Sequence, residues 1–207
     1  MTYPVVVTGA GIGGLTAALA LNARGHEVAI IERAEALEEV GAGLQLSPNA
    51  TRILRDLKVL DTLGSRAVRP DHIVIGSARQ GAEITRIPLG GQIEARHGAP
   101  YLVVHRADLQ MALYQTAKDR SGITFKFGTA VHKAEDDAEG PVICHADANS
   151  ETQEIRALAL IGADGVWSKT RQQVPGHSEA AYSGLTAYRA TLPSSQVDAG
   201  LLKDTGL

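Results

Sequence analysis

Apolar residues in this chain fall in short blocks, and most blocks are closed by glycine or by a polar cluster. Tyr3 to Thr8 is a β-branched run ended by Gly9, the pattern of a buried strand. Leu15, Ala18 and Leu19 then fall on one face of a helix running to Arg24, and Gly25 stands where a helix C-cap favours glycine. Glu27 to Glu32 is a second apolar strand. The opening segment therefore spells β-α-β, which predicts a parallel pair with a right-handed crossover.

The pattern then changes character. Val40 to Leu46 is interrupted by glycines and predicts extended loop. Ser47-Pro48 predicts a helix start, serine as N-cap and proline at the first helical position, with Ile53, Leu54 and Leu57 as the apolar stripe. After Pro70, His72 to Ile75 and Glu83 to Ile87 predict two strands around the polar turn Ala78 to Gly81, and Gly90-Gly91 to Pro100 predicts loop. Tyr101 to Val104 predicts a strand, Leu109, Leu113 and Ala117 mark a helix, and Ile123 to Phe127 predicts another strand. Three more strands are expected near Ala130, Val142 and Leu158, the first two separated by the polar stretch Glu135 to Glu139. A last strand is expected over Thr186 to Thr191, followed by loop. No internal repeat is visible.

Composition narrows the class. The 207 residues are 44% hydrophobic and 21% charged, which is ordinary globular usage and argues against disorder. A net charge of −3 gives no reason to expect nucleic acid or an anionic membrane as partner. The apolar start Val5-Val6-Val7 has no charged leader and is cut short by glycines, so neither a targeting segment nor a membrane span is expected. The single cysteine, Cys144, has no internal disulfide partner. It suits a reducing cytoplasm and reads as a small buried hydrophobe beside Val142 and Ile143. The seven histidines show no ligand spacing, so no metal is expected. There is no G-x-S-x-G elbow, and neither Ser168 nor Ser183 sits in a motif that would make it a nucleophile. The 22 glycines are the informative excess.

Four of them stand in the segment that carries the chemistry: Gly9-Ala10-Gly11-Ile12-Gly13-Gly14 leaves a strand and opens a helix inside the β-α-β unit. In such a motif Gly9 permits the tight turn, Gly11 lets the backbone approach a pyrophosphate, and Gly14 lets helix and strand pack closely. The helix start then offers free N–H groups and partial positive charge to phosphate. Glu32 ends the second strand, roughly 20 residues further on, where a carboxylate accepts from ribose hydroxyls. A 2′-phosphate would be repelled there, which favours FAD or NAD over NADP as the bound nucleotide. Arg33 complicates that choice, because arginine also pairs with phosphate; it reads as a group on the adenosine side.

Three further segments follow in order: Gly41 to Ala50 (GAGLQLSPNA), His105 to Leu109 (HRADL) and Gly162 to Arg171 (GADGVWSKTR). With the glycine turn, they resemble the class A FAD-dependent aromatic hydroxylases, in particular the salicylate-hydroxylase-like group, over nearly the whole chain. The resemblance implies an α/β fold, a Rossmann-like FAD-binding fold of the glutathione-reductase type with an incomplete β-rich substrate domain. It implies that Gln45 passes along the flavin, that Arg106 reaches the FAD, and that Asp164 lies near the cofactor and bears on pyridine-nucleotide use. The plainer readings stay open: Gln45 facing solvent, Arg106 as a solvated arginine at a helix start, and Asp164 as an Asp-Gly turn. Val131 joins the cofactor-side residues. Tyr188 resembles a position on the family's substrate sheet, although a half-buried strand tyrosine is the simpler reading. No catalytic residue is assigned; some family members carry a histidine near the position of Gln45, and here none occurs between His26 and His72.

The implied activity is NADH- or NADPH-dependent hydroxylation of an aromatic small molecule, one oxygen atom passing from O₂ to the ring by way of reduced FAD. Residues 1–71 and 98–177 would form the FAD-binding part, and 72–97 with 178–207 part of a substrate domain. No Gly-Asp segment like the family's last FAD-binding stretch follows Ala190. A truncated chain is therefore expected, slow or uncoupled by itself, with uncovered apolar surface that favours self-association. A nucleotide-binding module without turnover and an inactive fragment remain as alternatives.

Overall fold

The computed structural model describes residues 3–37, 41–77, 79–135, 141–148, 151–186 and 192–197. In chain order the elements are β1 (Val5–Thr8), α1 (Ile12–Asn22), β2 (Val28–Ile31), β3 (Gly43–Leu46), α2 (Pro48–Asp56), α3 (Val59–Leu63), β4 (Ala67–Val68), β5 (His72–Gly76) and β6 (Glu83–Pro88). They continue with α4 (Gly90–His97), β7 (Leu102–His105), α5 (Arg106–Lys118), β8 (Ile123–Lys126), β9 (Thr129–Glu135), β10 (Val142–Ala148), β11 (Glu151–Ala157), β12 (Ala159–Gly162) and α6 (Lys169–Gln172). The chain divides into two compact units, Met1–Glu39 with Gln110–Thr186, and Val40–Leu109 with Ala187–Leu207.

The first unit is built on a parallel sheet in the order β12-β1-β2-β8. β1 pairs in register with β2 (Val6 with Ala29) and with β12 (Val6 with Leu160). The two central strands, β1 and β2, are buried on both faces, which is why they read as continuous apolar runs rather than alternating ones. Val6, Ala29 and Ile31 pack with Val131, Cys144, Ala146 and Ala157 of an antiparallel sheet ordered β11-β10-β9. The two-residue period of a strand sends Val5, Val7, Val28 and Ile30 to the opposite face, where α1 buries Leu15, Ala18 and Leu19. Tyr114 of α5 meets Phe125 of β8 edge to face at 5.1 Å. Helices, parallel sheet and antiparallel sheet form the layered α/β arrangement that the motifs imply. Cys144 lies in the core, as expected of a small hydrophobe, and burial pushes its thiol up.

The second unit holds a three-stranded antiparallel sheet, β3-β7-β4, and the hairpin β5-β6. The hairpin lies where the sequence predicts it, with Ile73 opposite Ile87. Four expectations change. The segment expected as loop over Val40 to Leu46 contains β3, because residues 102–105, distant in sequence, supply its partner: Gln45 pairs with Val103. The stretch from Gly90-Gly91 to His97 is helix α4; its glycines hide a run of helix-tolerant residues, and Gly98 closes it in the left-handed region by donating its N–H to the Glu94 carbonyl. Ile53 is 50% exposed and does not belong to the stripe of α2; the buried position is Thr51, whose hydroxyl donates to the Pro100 carbonyl at 2.7 Å. Ser47 is the N-cap of α2 by position, but its hydroxyl donates to Asn49 Oδ1 instead of capping the helix.

In the first unit, β11 adds a strand that the sequence does not announce. Its residues are mostly polar, and of its side chains Ile155 and Ala157 join the hydrophobic core. The strand expected near Leu158 is β12, which starts one residue later; Leu158 itself is the exposed link between β11 and β12. The strand expected over Thr186 to Thr191 falls almost wholly outside the described residues, Tyr188 with it. Among the described residues, no helix is long and apolar enough to cross a membrane, and no group of histidine, cysteine and acidic side chains is arranged to hold a metal.

Candidate functional site

The turn between β1 and α1 sits at the carboxyl end of the parallel sheet. Its glycines differ in what they face. Gly9 has φ +96°, and a Cβ there would lie 2.5 Å from the Ala163 carbonyl oxygen, so both its backbone conformation and its neighbours demand glycine. A Cβ on Gly14 would overlap the Gly9 carbonyl oxygen, so α1 reaches this close to β1 only without a side chain there. Gly11 and Gly13 are different: a Cβ on either would meet no described residue within 4 Å. Gly11 also has ordinary extended backbone angles, φ −73° and ψ 177°. Neither conformation nor internal packing requires glycine at position 11, and the space beside it suits something from outside the chain.

The helix that follows leaves its donors available. Gly11 is the N-cap of α1 and supplies no side-chain cap, the first turn holds no acidic residue, and the first intrahelical bond runs from the Leu15 N–H to the Gly11 carbonyl. The amides of Ile12, Gly13 and Gly14 therefore precede the helical ladder. They stand at its electropositive end.

Glu32 lies beside this turn. Its Oε2 accepts from the Ala10 N–H at 2.7 Å, and its Oε1 accepts from the Ala34 N–H at 2.9 Å. The two amides fix the carboxylate, and each oxygen keeps a lone pair with which to accept from a hydroxyl. Arg33, next in the chain, is exposed and makes no ion pair with another described residue. A glycine-lined space beside free helix-start amides, with an oriented carboxylate next to it, fits a pyrophosphate joined to a ribose.

Asp164 closes the same end of the sheet from β12. Its Oδ1 accepts from the Ser168 hydroxyl at 2.6 Å, and its Oδ2 accepts from the Thr170 N–H at 3.1 Å and the Thr170 hydroxyl at 3.2 Å. Ser168 in turn caps α6 by accepting from the Arg171 N–H. Burial is the largest single influence and would raise the Asp164 carboxyl, but the combined hydrogen bonds from Ser168 and Thr170 outweigh it and hold the group below the ordinary aspartate range. With the folded value depressed, the stabilisation is complete above the unfolded value of about 3.9 and is lost as pH falls through the folded one. Asp164→Asn should therefore flatten the fall in melting temperature below about pH 4. Melting both proteins from neutral pH downward tests this; parallel acid limbs would remove Asp164 from the account.

Val131 is placed differently from a ligand-facing side chain. It is buried in the core between the two sheets, so only its main chain is left to meet a cofactor. In the second unit, the segments carrying Gln45 and Arg106 come together. The Arg106 N–H donates to the Ala42 carbonyl, and a Cβ on Gly41, which has φ +145°, would lie 2.6 Å from Arg106 Cδ. Gln45 is exposed on β3 and Arg106 is exposed at the start of α5. Sequence reasoning missed Gln110, whose Nε2 donates to the Ala10 carbonyl in the glycine turn at 2.9 Å. Its place one position after Leu109 on α5 gives no signal of that contact.

Residues 2–196 match the family model described as FAD binding domain. The chain is 38% identical over 189 residues to 3-hydroxybenzoate 6-hydroxylase of Polaromonas naphthalenivorans (strain CJ2), an alignment that covers 91% of this chain and 46% of the relative. It is 34% identical to 6-hydroxynicotinate 3-monooxygenase of Pseudomonas fluorescens, over 96% of this chain and 50% of the relative. Among solved structures, an HpxO variant of Klebsiella pneumoniae complexed with FAD superimposes with a TM-score of 0.70 at 27% identity, over 85% of this chain and 43% of that one. The chain thus spans about half the length of the curated relatives it matches.

Proposed function

The chain belongs to the FAD binding domain family, and we propose that it supplies the FAD-binding part of an NADH- or NADPH-dependent aromatic-ring hydroxylase. The observation that carries this reading is Gly11, a glycine required by none of the described residues and set between helix-start amides and Glu32. The amides of residues 11–14 would hold the pyrophosphate and Glu32 the adenosine ribose. Gln45 and Arg106 are assigned to the same cofactor on the strength of their motifs, Arg33 to the adenosine side, and Val131 through its main chain. When bound, FAD supplies two-electron redox chemistry that no side chain of the protein can provide. The chain's own share is to bind, to orient, and to keep charge complementary to the phosphates.

The substrate class follows from the two hydroxylase relatives, which by name act on a hydroxybenzoate and a hydroxynicotinate. The proposal is an aromatic acid of that kind, turned over in the cytoplasm. The functional division into 1–71 with 98–177 for FAD, and 72–97 with 178–207 for substrate, belongs to the same proposal. The test is to load the protein with FAD and follow NADH and NADPH oxidation with hydroxybenzoates and hydroxynicotinates, measuring hydrogen peroxide and hydroxylated product together. Oxidation accelerated by an aromatic acid supports the reading. FAD binding with oxidation indifferent to every aromatic acid would instead make the chain a nucleotide-binding module.

A further inference from the structure

We propose that Gln110 is a positioning residue for the phosphate-binding turn: it sets the direction in which the Gly11 N–H points. The inference rests on the nucleotide reading above. Two successive peptide groups in the turn are held by side chains from elsewhere in the first unit. Glu32 accepts from the N–H of the peptide joining Gly9 to Ala10. Gln110 donates to the carbonyl of the next peptide, joining Ala10 to Gly11, at 2.9 Å. In a planar trans peptide the carbonyl and the N–H point in opposite directions, so fixing the Ala10 carbonyl fixes the Gly11 N–H. A carbonyl acceptor requires the amide nitrogen of Gln110, not its oxygen, at this contact.

The rest of the surroundings make the tether matter. Ala10 is fully buried, and its neighbours Gly9 and Gly11 have no side chains with which to lock the turn. Gln110 itself is held by α5, whose next turns bury Ala112, Leu113, Thr116 and Ala117. A rigid helix thus grips the one carbonyl whose orientation governs the amide at the head of the anion site. Gln110 is neutral and adds no charge there, so its effect is on aim alone. Donors fixed in advance do not have to be ordered when the ligand arrives.

Gln110→Met keeps the length of the side chain and removes the donor; Gln110→Leu also removes the donor, and neither variant adds charge beside the phosphates. Parent and variants are titrated with ADP and, separately, with adenosine, which shares the base and ribose and lacks phosphates. The expected result is an ADP affinity lower by about tenfold in both variants, with adenosine affinity unchanged. If the methionine variant does not fold, the leucine variant is read in the same way. Equal ADP affinity in variant and parent overturns the inference, and so does a parallel loss for ADP and adenosine, which would mark a general structural role. A parent that does not bind ADP at all would remove the nucleotide reading, and this inference with it.

Discussion

Gly11→Val abolishes FAD and ADP binding while the protein stays folded. The branched side chain enters the space that the pyrophosphate is proposed to fill, so affinity should fall by more than ~100-fold. The fold should tolerate it, because a Cβ there meets nothing within 4 Å and the backbone angles suit any residue. The cost to stability is the loss of a favourable helix N-cap glycine, about 1 kcal/mol. Gly14→Val is the contrasting variant. Its Cβ would overlap the Gly9 carbonyl oxygen, so stability should fall by about 3 kcal/mol, the range for a forced overpacking. Thermal melts and ADP titrations on both variants separate a ligand glycine from a packing glycine. A folded Gly11→Val protein that still binds ADP would move the cradle elsewhere.

Glu32→Ala weakens FAD and ADP binding by roughly 10- to 100-fold, the scale of one or two hydrogen bonds to a charged group. Two losses combine. The proposed ribose acceptor disappears, and the Ala10 and Ala34 amides lose the carboxylate that they now hold. The variant should also lose discrimination. A carboxylate at this position repels a 2′-phosphate, so the parent should prefer ADP over 2′-phospho-ADP, and the preference should narrow in the variant. Titration with the two nucleotides reads both effects. Unchanged ADP affinity would take Glu32 out of the site, and an unchanged preference would mean that the 2′-phosphate is excluded by some other group.

Features set by neighbours in the chain were legible in the sequence. The β-α-β unit, the turn and packing duties of Gly9 and Gly14, and the burial of Leu109, Leu113 and Ala117 all follow from local spacing, and the structure has them. Features set by a distant partner were not. β3 is a strand because β7 pairs with it, and polar β11 is a strand because β10 does. Thr51 is buried because it reaches Pro100, whereas the more apolar Ile53 faces outward. The glycine pair that opens α4 concealed a helix that its later residues support. In the candidate site, the glycines and Glu32 announce themselves by motif, but Gln110 acts on Ala10 across a long stretch of chain, and no pattern in either segment encodes the meeting. Asp164 stood out as an Asp-Gly step, yet its ties to Ser168 and Thr170 become visible only once the turn after β12 is folded.

The central claim is that this chain binds FAD through its adenosine diphosphate half. The most direct measurement is titration of FAD with the purified flavin-free protein, followed by flavin fluorescence, with ADP then added as competitor. The account predicts a saturable change in flavin fluorescence at one site per chain, reversed by ADP and absent in Gly11→Val. A folded protein that binds neither FAD nor ADP, or an FAD signal that ADP does not displace, would contradict it.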